Sequence, residues 1–238
     1  MKLLSLLLPA LFISACSTTN KHNDILFIQT SRLIDGVSDT VHQDLDIVVI
    51  SGRIAAIGKD LKVPENARIL DLKKFTVLPG LIDMHTHLTS LPEDNENLEA
   101  HALTPDAEIL ARARRNGQSM LAQGFTSVRD LGTYHGWVNK TLRDELTGMT
   151  LEGPRIQAAP FFLTIPGGGG DVPAKGYSPL GLAKGPEQFR QKAELALDGG
   201  ADVLKVIASG AVLAPGGVPG KQEMTRAEIS AVVQAAHA

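Results

Sequence analysis

From residue 76 onward the sequence repeats one unit: a short apolar run, a loop, then a stretch with helix start and stop signals. An apolar run, Phe75 to Met84, comes first and reads as a strand buried on both faces. Thr104-Pro105-Asp106 reads as an N-cap, a proline in the first turn and an acid beside the helix dipole, opening a helix to about Gln123 that Gly124 closes. Thr126 to Asp130 is the second strand, followed by a helical stretch from Trp137 to Leu146. Arg155 to Pro160 is the third, followed by a long Gly/Pro-rich loop and a helix from Pro186 to about Asp198. Asp202 to Ala208 is the fourth, and Thr225 with Glu228 forms a capping box for a last helix. Strand and helix in strict alternation predict an α/β fold with a parallel sheet. A doubly wound sheet and a barrel share this rhythm.

The preceding segment has a different texture. Ile25 to Thr30, Asp46 to Ile50, Arg53 to Ile57 and Arg68 to Leu72 read as strands, with no helix between them. Ser51-Gly52 separates the second and third as a tight hairpin, and Asp35-Gly36 is a turn signal. This small β layer contains no residue that demands a chemical role; His22 and His42 read as solvated. The expected organisation is residues 1–16 as a signal peptide, 17–24 as a tether, 25–75 as part of a small β domain, and 76–238 as four β/α units.

The residues with chemistry gather at strand ends. In Leu81-Ile82-Asp83-Met84-His85-Thr86-His87 two histidines stand one residue apart, so on a strand His85 and His87 project from the same face. Two adjacent imidazoles make half of a metal site; the plainer reading is a wet strand face. Lys205 is the only cation in Asp202-Val203-Leu204-Lys205-Val206-Ile207-Ala208. A buried lysine loses its charge readily, and a neutral amine can take up carbon dioxide as a carbamate. The plainer reading is a lysine reaching a carboxylate or solvent. Asp83 and Asp130 read as hydrogen-bonding groups rather than ligands, and Arg129 as an internal ion-pair partner. Gly167 to Gly170 is not followed by Gly-Lys-Ser/Thr, so a phosphate loop is excluded and a lip over a site is expected. His101, His135 and His237 read as surface residues, the first two within reach of a substrate.

The run Val77-Leu78-Pro79-Gly80-Leu81-Ile82-Asp83-Met84-His85-Thr86-His87-Leu88 resembles the first barrel strand of the metal-dependent amidohydrolases. LIDGVSDTVHQDLDIVVISGRIAAIG resembles the small β domain that precedes that strand, and the imidazolonepropionase-like branch with its prolidase-type dipeptidases is the most similar. The resemblance implies the first half of a (β/α)8 TIM barrel, preceded by part of a small β-sandwich and truncated after the fourth unit. It implies a hydrolase acting on a C–N bond, amide or peptide-like, of a dipeptide-like small molecule. In the complete protein two divalent ions, zinc by expectation, are held by His85, His87 and Lys205, the lysine carboxylated by carbon dioxide. Relatives add two histidines from the fifth and sixth strands and a proton-shuttling aspartate from the eighth. None of these is present, so no catalytic residue is assigned in this chain, and the fragment is expected to be inactive alone. Relatives often carry a histidine in the Gly-rich loop where Gly169 stands. The competing reading is a non-catalytic surface lipoprotein or degenerate pseudoenzyme acting as a binding module. Open sheet edges leave oligomerisation as an expectation under either reading.

Composition narrows the partners. The formal net charge is −3 with no basic run, which argues against nucleic acid. Lys2 reads as the positive n-region of a signal peptide and Leu3 to Ile13 as its apolar h-region, too short to span a bilayer; the plainer reading is an ordinary signal peptide with a chance cysteine at position 16. Ile13-Ser14-Ala15-Cys16 resembles a bacterial lipobox, which makes Cys16 the lipidated first residue of the mature protein. Ser17 rather than Asp follows, which by resemblance to Gram-negative lipoproteins points to an outer-membrane anchor with the remainder in the periplasm or at the surface. Cys16 is the only cysteine, so no intrachain disulfide can form and no thiolate remains for a metal.

Overall fold

The computed structural model describes residues 25–148, 151–172, 174–212 and 218–238. Cys16, with the expected signal peptide and tether, lies outside the described residues. The chain forms two compact units, divided between Pro79 and Gly80.

The first unit is a five-stranded sheet. Strands β1 (Ile25–Leu33), β2 (His42–Ile50), β3 (Arg53–Gly58) and β4 (Arg68–Asp71) lie in the order β3-β2-β1-β4, and β5 (Thr76–Val77) also pairs with β1. β1 is antiparallel to β2, and parallel to β4 and β5. The β2–β3 hairpin turns as expected through Ser51 and Gly52, both at positive φ (50° and 74°), as a primed two-residue turn requires. Phe27, Leu33, Ile47 and Val48 are its buried apolar residues.

The second unit alternates strand and helix. Its strands are β6 (Leu81–Thr86), β7 (Phe125–Leu131), β8 (Arg155–Ala159), β9 (Phe162–Leu163) and β10 (Lys205–Val206). Its helices are α1 (Leu98–Leu103), α2 (Asp106–Ala122), α3 (Val138–Thr147), α4 (Gly185–Asp198) and α5 (Arg226–Ala236), with one 3-10 turn at Pro92–Glu96. Among the described residues these strands pair in parallel, β6-β7-β8 in one sheet and β9-β10 in another. The two sheets are bridged where Asp202 N–H donates to Ala158 O at 2.9 Å. These are the first four β/α units of a barrel, half of an eight-stranded closure. Helices bury one stripe each: Ile109 and Ala113 from α2, Val138 and Leu142 from α3, Phe189, Ala193 and Ala196 from α4. Phe189 is wholly buried among Phe161, Leu163, Met224 and Val232, a transfer that stabilises by about 1.5–3 kcal/mol.

Four local expectations change. Phe75 to Met84 is not one strand: Thr76–Val77 pairs with β1, and β6 begins only at Leu81, because Pro79 offers no N–H to continue a ladder. Nor is β6 buried on both faces. It is an edge strand, with Leu81, Ile82 and Met84 at 42%, 62% and 50% exposure. The third strand forms over Arg155–Ala159 as expected and ends at Pro160, which has no donor to offer, but the fourth is regular only over Lys205–Val206. Thr104 does not cap α2; it closes α1, its hydroxyl donating to Ala100 O at 3.0 Å, and Pro105 takes the cap position.

Candidate metal centre

β6 delivers the two histidines. Thr86 and Leu88 turn inward and are buried, so His85 and His87 turn outward together. Their rings meet edge to face with centroids 5.3 Å apart. Gly132 O lies 2.8 Å from His87 Nδ1. A carbonyl only accepts, so Nδ1 carries the proton and Nε2 keeps its lone pair. β10 delivers Lys205 to the same place. Both histidines and Lys205 line one cavity of about 740 Å³, walled by Leu91, Leu98, Tyr134, Phe162 and Ile207 and edged by Gly169.

Charge in this cavity is set by burial and by like neighbours. Desolvation, then the Arg129 guanidinium, holds the Lys205 amine below the ordinary lysine range. Desolvation, then Lys205 and His87, lowers His85, with Asp83 opposing. Both shifts favour neutral nitrogen, the form that can coordinate a cation or react with carbon dioxide. Two imidazoles and a lysine amine at one cavity therefore fit half of a divalent-metal site. Among the described residues no group of three His, Cys, Asp or Glu side chains converges on a common point, so the imidazole pair is not completed by a carboxylate.

The other expected residues fall out variously. Asp83 bonds within its own strand, accepting from His85 N–H at 2.9 Å, where the β6–β7 register shifts. Asp130 is wholly buried and accepts from Leu88 N–H at 2.7 Å and Asn139 Nδ2 at 2.8 Å, a hydrogen-bonding role as expected. Arg129 does not serve as expected: its Nε donates to the Met84 carbonyl at 2.9 Å, because β6 leaves that carbonyl unpaired. His101 and His135 are not surface residues. Their side chains are 1% and 2% exposed, their rings 5.0 Å apart, because α1 and α2 fold over the loop after β7. His101 bonds Ser90 Oγ at 3.2 Å and lies 3.3 Å from Asp94; His135 Nδ1 lies 3.1 Å from Asp106. His42 pairs with Asp35 at 3.0 Å and His237 is exposed. The Gly132 carbonyl was not foreseeable as a site group, since a backbone acceptor leaves no residue-type signal. Asn139 gave none either, looking like an ordinary polar position on α3.

Known proteins share the fold that carries these residues. A solved Xaa-Pro dipeptidase with methionine in its active site is 29% identical and superimposes with a TM-score of 0.78, over 90% of this chain and 54% of that one. Ochratoxinase of Aspergillus niger is 27% identical over 236 residues, 89% of this chain and 48% of the relative. Dihydroorotase of Geotalea daltonii is 46% identical over 103 residues, 43% of this chain and 21% of that protein. The chain spans about half the length of the first two. Residues 76–238 match the amidohydrolase family, and the chain belongs to that family.

Proposed function

We propose that this chain supplies one half of the active site of a metal-dependent hydrolase of C–N bonds, acting on amides of dipeptide-like size. The observation that carries the reading is the convergence of His85, His87 and Lys205, from the first and fourth barrel strands, on one cavity. His85 and His87 would hold one divalent ion through ring nitrogens, and zinc is the ion we assign. Lys205 would react as the neutral amine: its nitrogen bonds the carbon of carbon dioxide as one C–O π bond opens onto oxygen, a proton leaves to solvent, and the side chain becomes an anionic oxygen donor that would help to hold the metal. A bound divalent ion supplies Lewis acidity towards a carbonyl and acidifies water. Leu91, Leu98 and Phe162 exclude water from the wall and accept an apolar group of the substrate. Hydrolysis belongs to the whole barrel, and the 238 residues alone are expected not to turn over.

Turnover of a dipeptide panel by protein carrying the whole barrel, with zinc and bicarbonate, tests the reading. It expects release of free amine that Lys205→Ala and His85→Ala/His87→Ala each abolish. Unchanged turnover in either variant sinks it. Cys16 as a lipid anchor in the cell envelope is part of the same proposal: Cys16→Ala should remove all radiolabelled palmitate from the protein, and label that persists would refute the anchor.

A further inference from the structure

Asp130 sits at the end of β7, wholly buried, and touches neither cavity nor solvent. Its bonds are arranged around His87. One carboxylate oxygen accepts from Leu88 N–H at 2.7 Å, the peptide that immediately follows His87. Gly132 follows two residues on, and its N–H favours the charged form of the same carboxyl, against the burial that raises its pKa. Gly132 is the residue whose carbonyl receives the His87 Nδ1 proton at 2.8 Å. The same residue thus holds the backbone that carries the imidazole through Leu88 N–H, and lies two residues before the backbone that carries its acceptor.

Gly132 is fixed independently. Its φ is +99°, and a Cβ there would lie 3.0 Å from Phe161 C and 3.0 Å from Phe162 N, both backbone atoms. A side chain is refused by conformation and by space at once. Asn139, wholly buried on α3, completes the frame: its Nδ2 donates to Asp130 at 2.8 Å and to Ala159 O at 2.6 Å, tying β7 to β8.

We propose that Asp130 and Gly132 are positioning residues that lock His87 in the Nδ1–H tautomer and aim its Nε2 lone pair into the cavity. The consequence for the metal site rests on the reading of His87 as a ligand; the tautomer does not. In the opposite tautomer Nε2 carries hydrogen, faces the cavity as a donor and cannot bind a cation. Loss of such an outer hydrogen bond costs 10–100-fold in metal affinity as a rule.

The experiment is imidazole 15N NMR on the metal-free 238-residue chain, at one pH above the histidine range, followed by zinc titration. Wild-type His87 should show a protonated Nδ1 and an unprotonated Nε2. Gly132→Ala and Asp130→Asn should each shift His87 towards Nε2–H, leave the His85 pattern unchanged, and weaken zinc binding about 10–100-fold. Wild-type His87 protonated at Nε2 overturns the proposal, and that result needs no variant to fold. A folded Asp130→Asn chain with an unchanged His87 tautomer overturns it too. If the tautomer is as stated and wild-type zinc binding is absent, the clamp stands and the metal reading fails.

Discussion

Asn139→Ala is the most informative single truncation in the second unit. The amide makes two bonds in a fully buried setting, one to the Asp130 carboxylate at 2.8 Å and one to Ala159 O at 2.6 Å. A bond to a charged group contributes about 1.5–3 kcal/mol and a neutral one about 0.5–1.5 kcal/mol. The substitution also removes Asn139 Oδ1, which has no hydrogen-bond partner among the described residues; relieving that buried acceptor returns roughly 1 kcal/mol. The net loss is therefore about 1–3.5 kcal/mol, which lowers the melting temperature of a unit this size by about 2–14 °C, with about 6 °C the central expectation. Trp137, the only tryptophan, lies immediately before α3 in this unit, so its fluorescence follows this transition. Gln191→Ala, on the exposed side of α4, serves as the control and should shift stability by no more than about 0.5 kcal/mol. A melt for Asn139→Ala no different from that control would refute the reading of Asn139 as a buried tie between strands.

Acid should destabilise the second unit through His101. Burial, then the nearby His135 and Arg112 charges, outweighs Asp94 and holds its pKa below the ordinary 6.5. The folded chain therefore binds fewer protons at this group, and the stabilisation is complete above about pH 6.5 and is lost as pH falls below it. Urea unfolding followed by Trp137 fluorescence should show a falling midpoint from pH 7.5 towards acid, and His101→Gln should flatten that fall; equal slopes would contradict the assignment. Gly199→Ala should destabilise by about 1–3 kcal/mol through overpacking, since its Cβ would lie 2.1 Å from the Trp137 ring. The accompanying shift in tryptophan emission reports the contact directly, and an unchanged spectrum would show the ring is not there.

Repeating local signals made the architecture legible. The Ser51-Gly52 turn, the Thr225/Glu228 capping box and the α4 helix opening at Pro186 all specify backbone locally, and each forms where expected. Errors arose where tertiary context decides. Pro79 breaks an apolar run that reads as one continuous strand. His101 on α1 and His135 in the loop after β7 are buried against each other, a pairing distant in sequence that residue type alone cannot report. His85, His87 and Lys205 were legible as residues because each is out of place on an apolar strand. The carbonyl that orients His87 was not, because any residue has one, and only the fold brings Gly132 beside it.

Zinc titration of the 238-residue chain, wild type against His85→Ala/His87→Ala, tests the paired imidazoles most directly. The chain lacks a third imidazole or carboxylate in the cluster among the described residues, so binding should be weak but measurable. The double substitution should reduce the affinity at least about tenfold, because it removes both ring nitrogens while the cavity and Lys205 remain. Superimposable isotherms for the two proteins would contradict the metal centre.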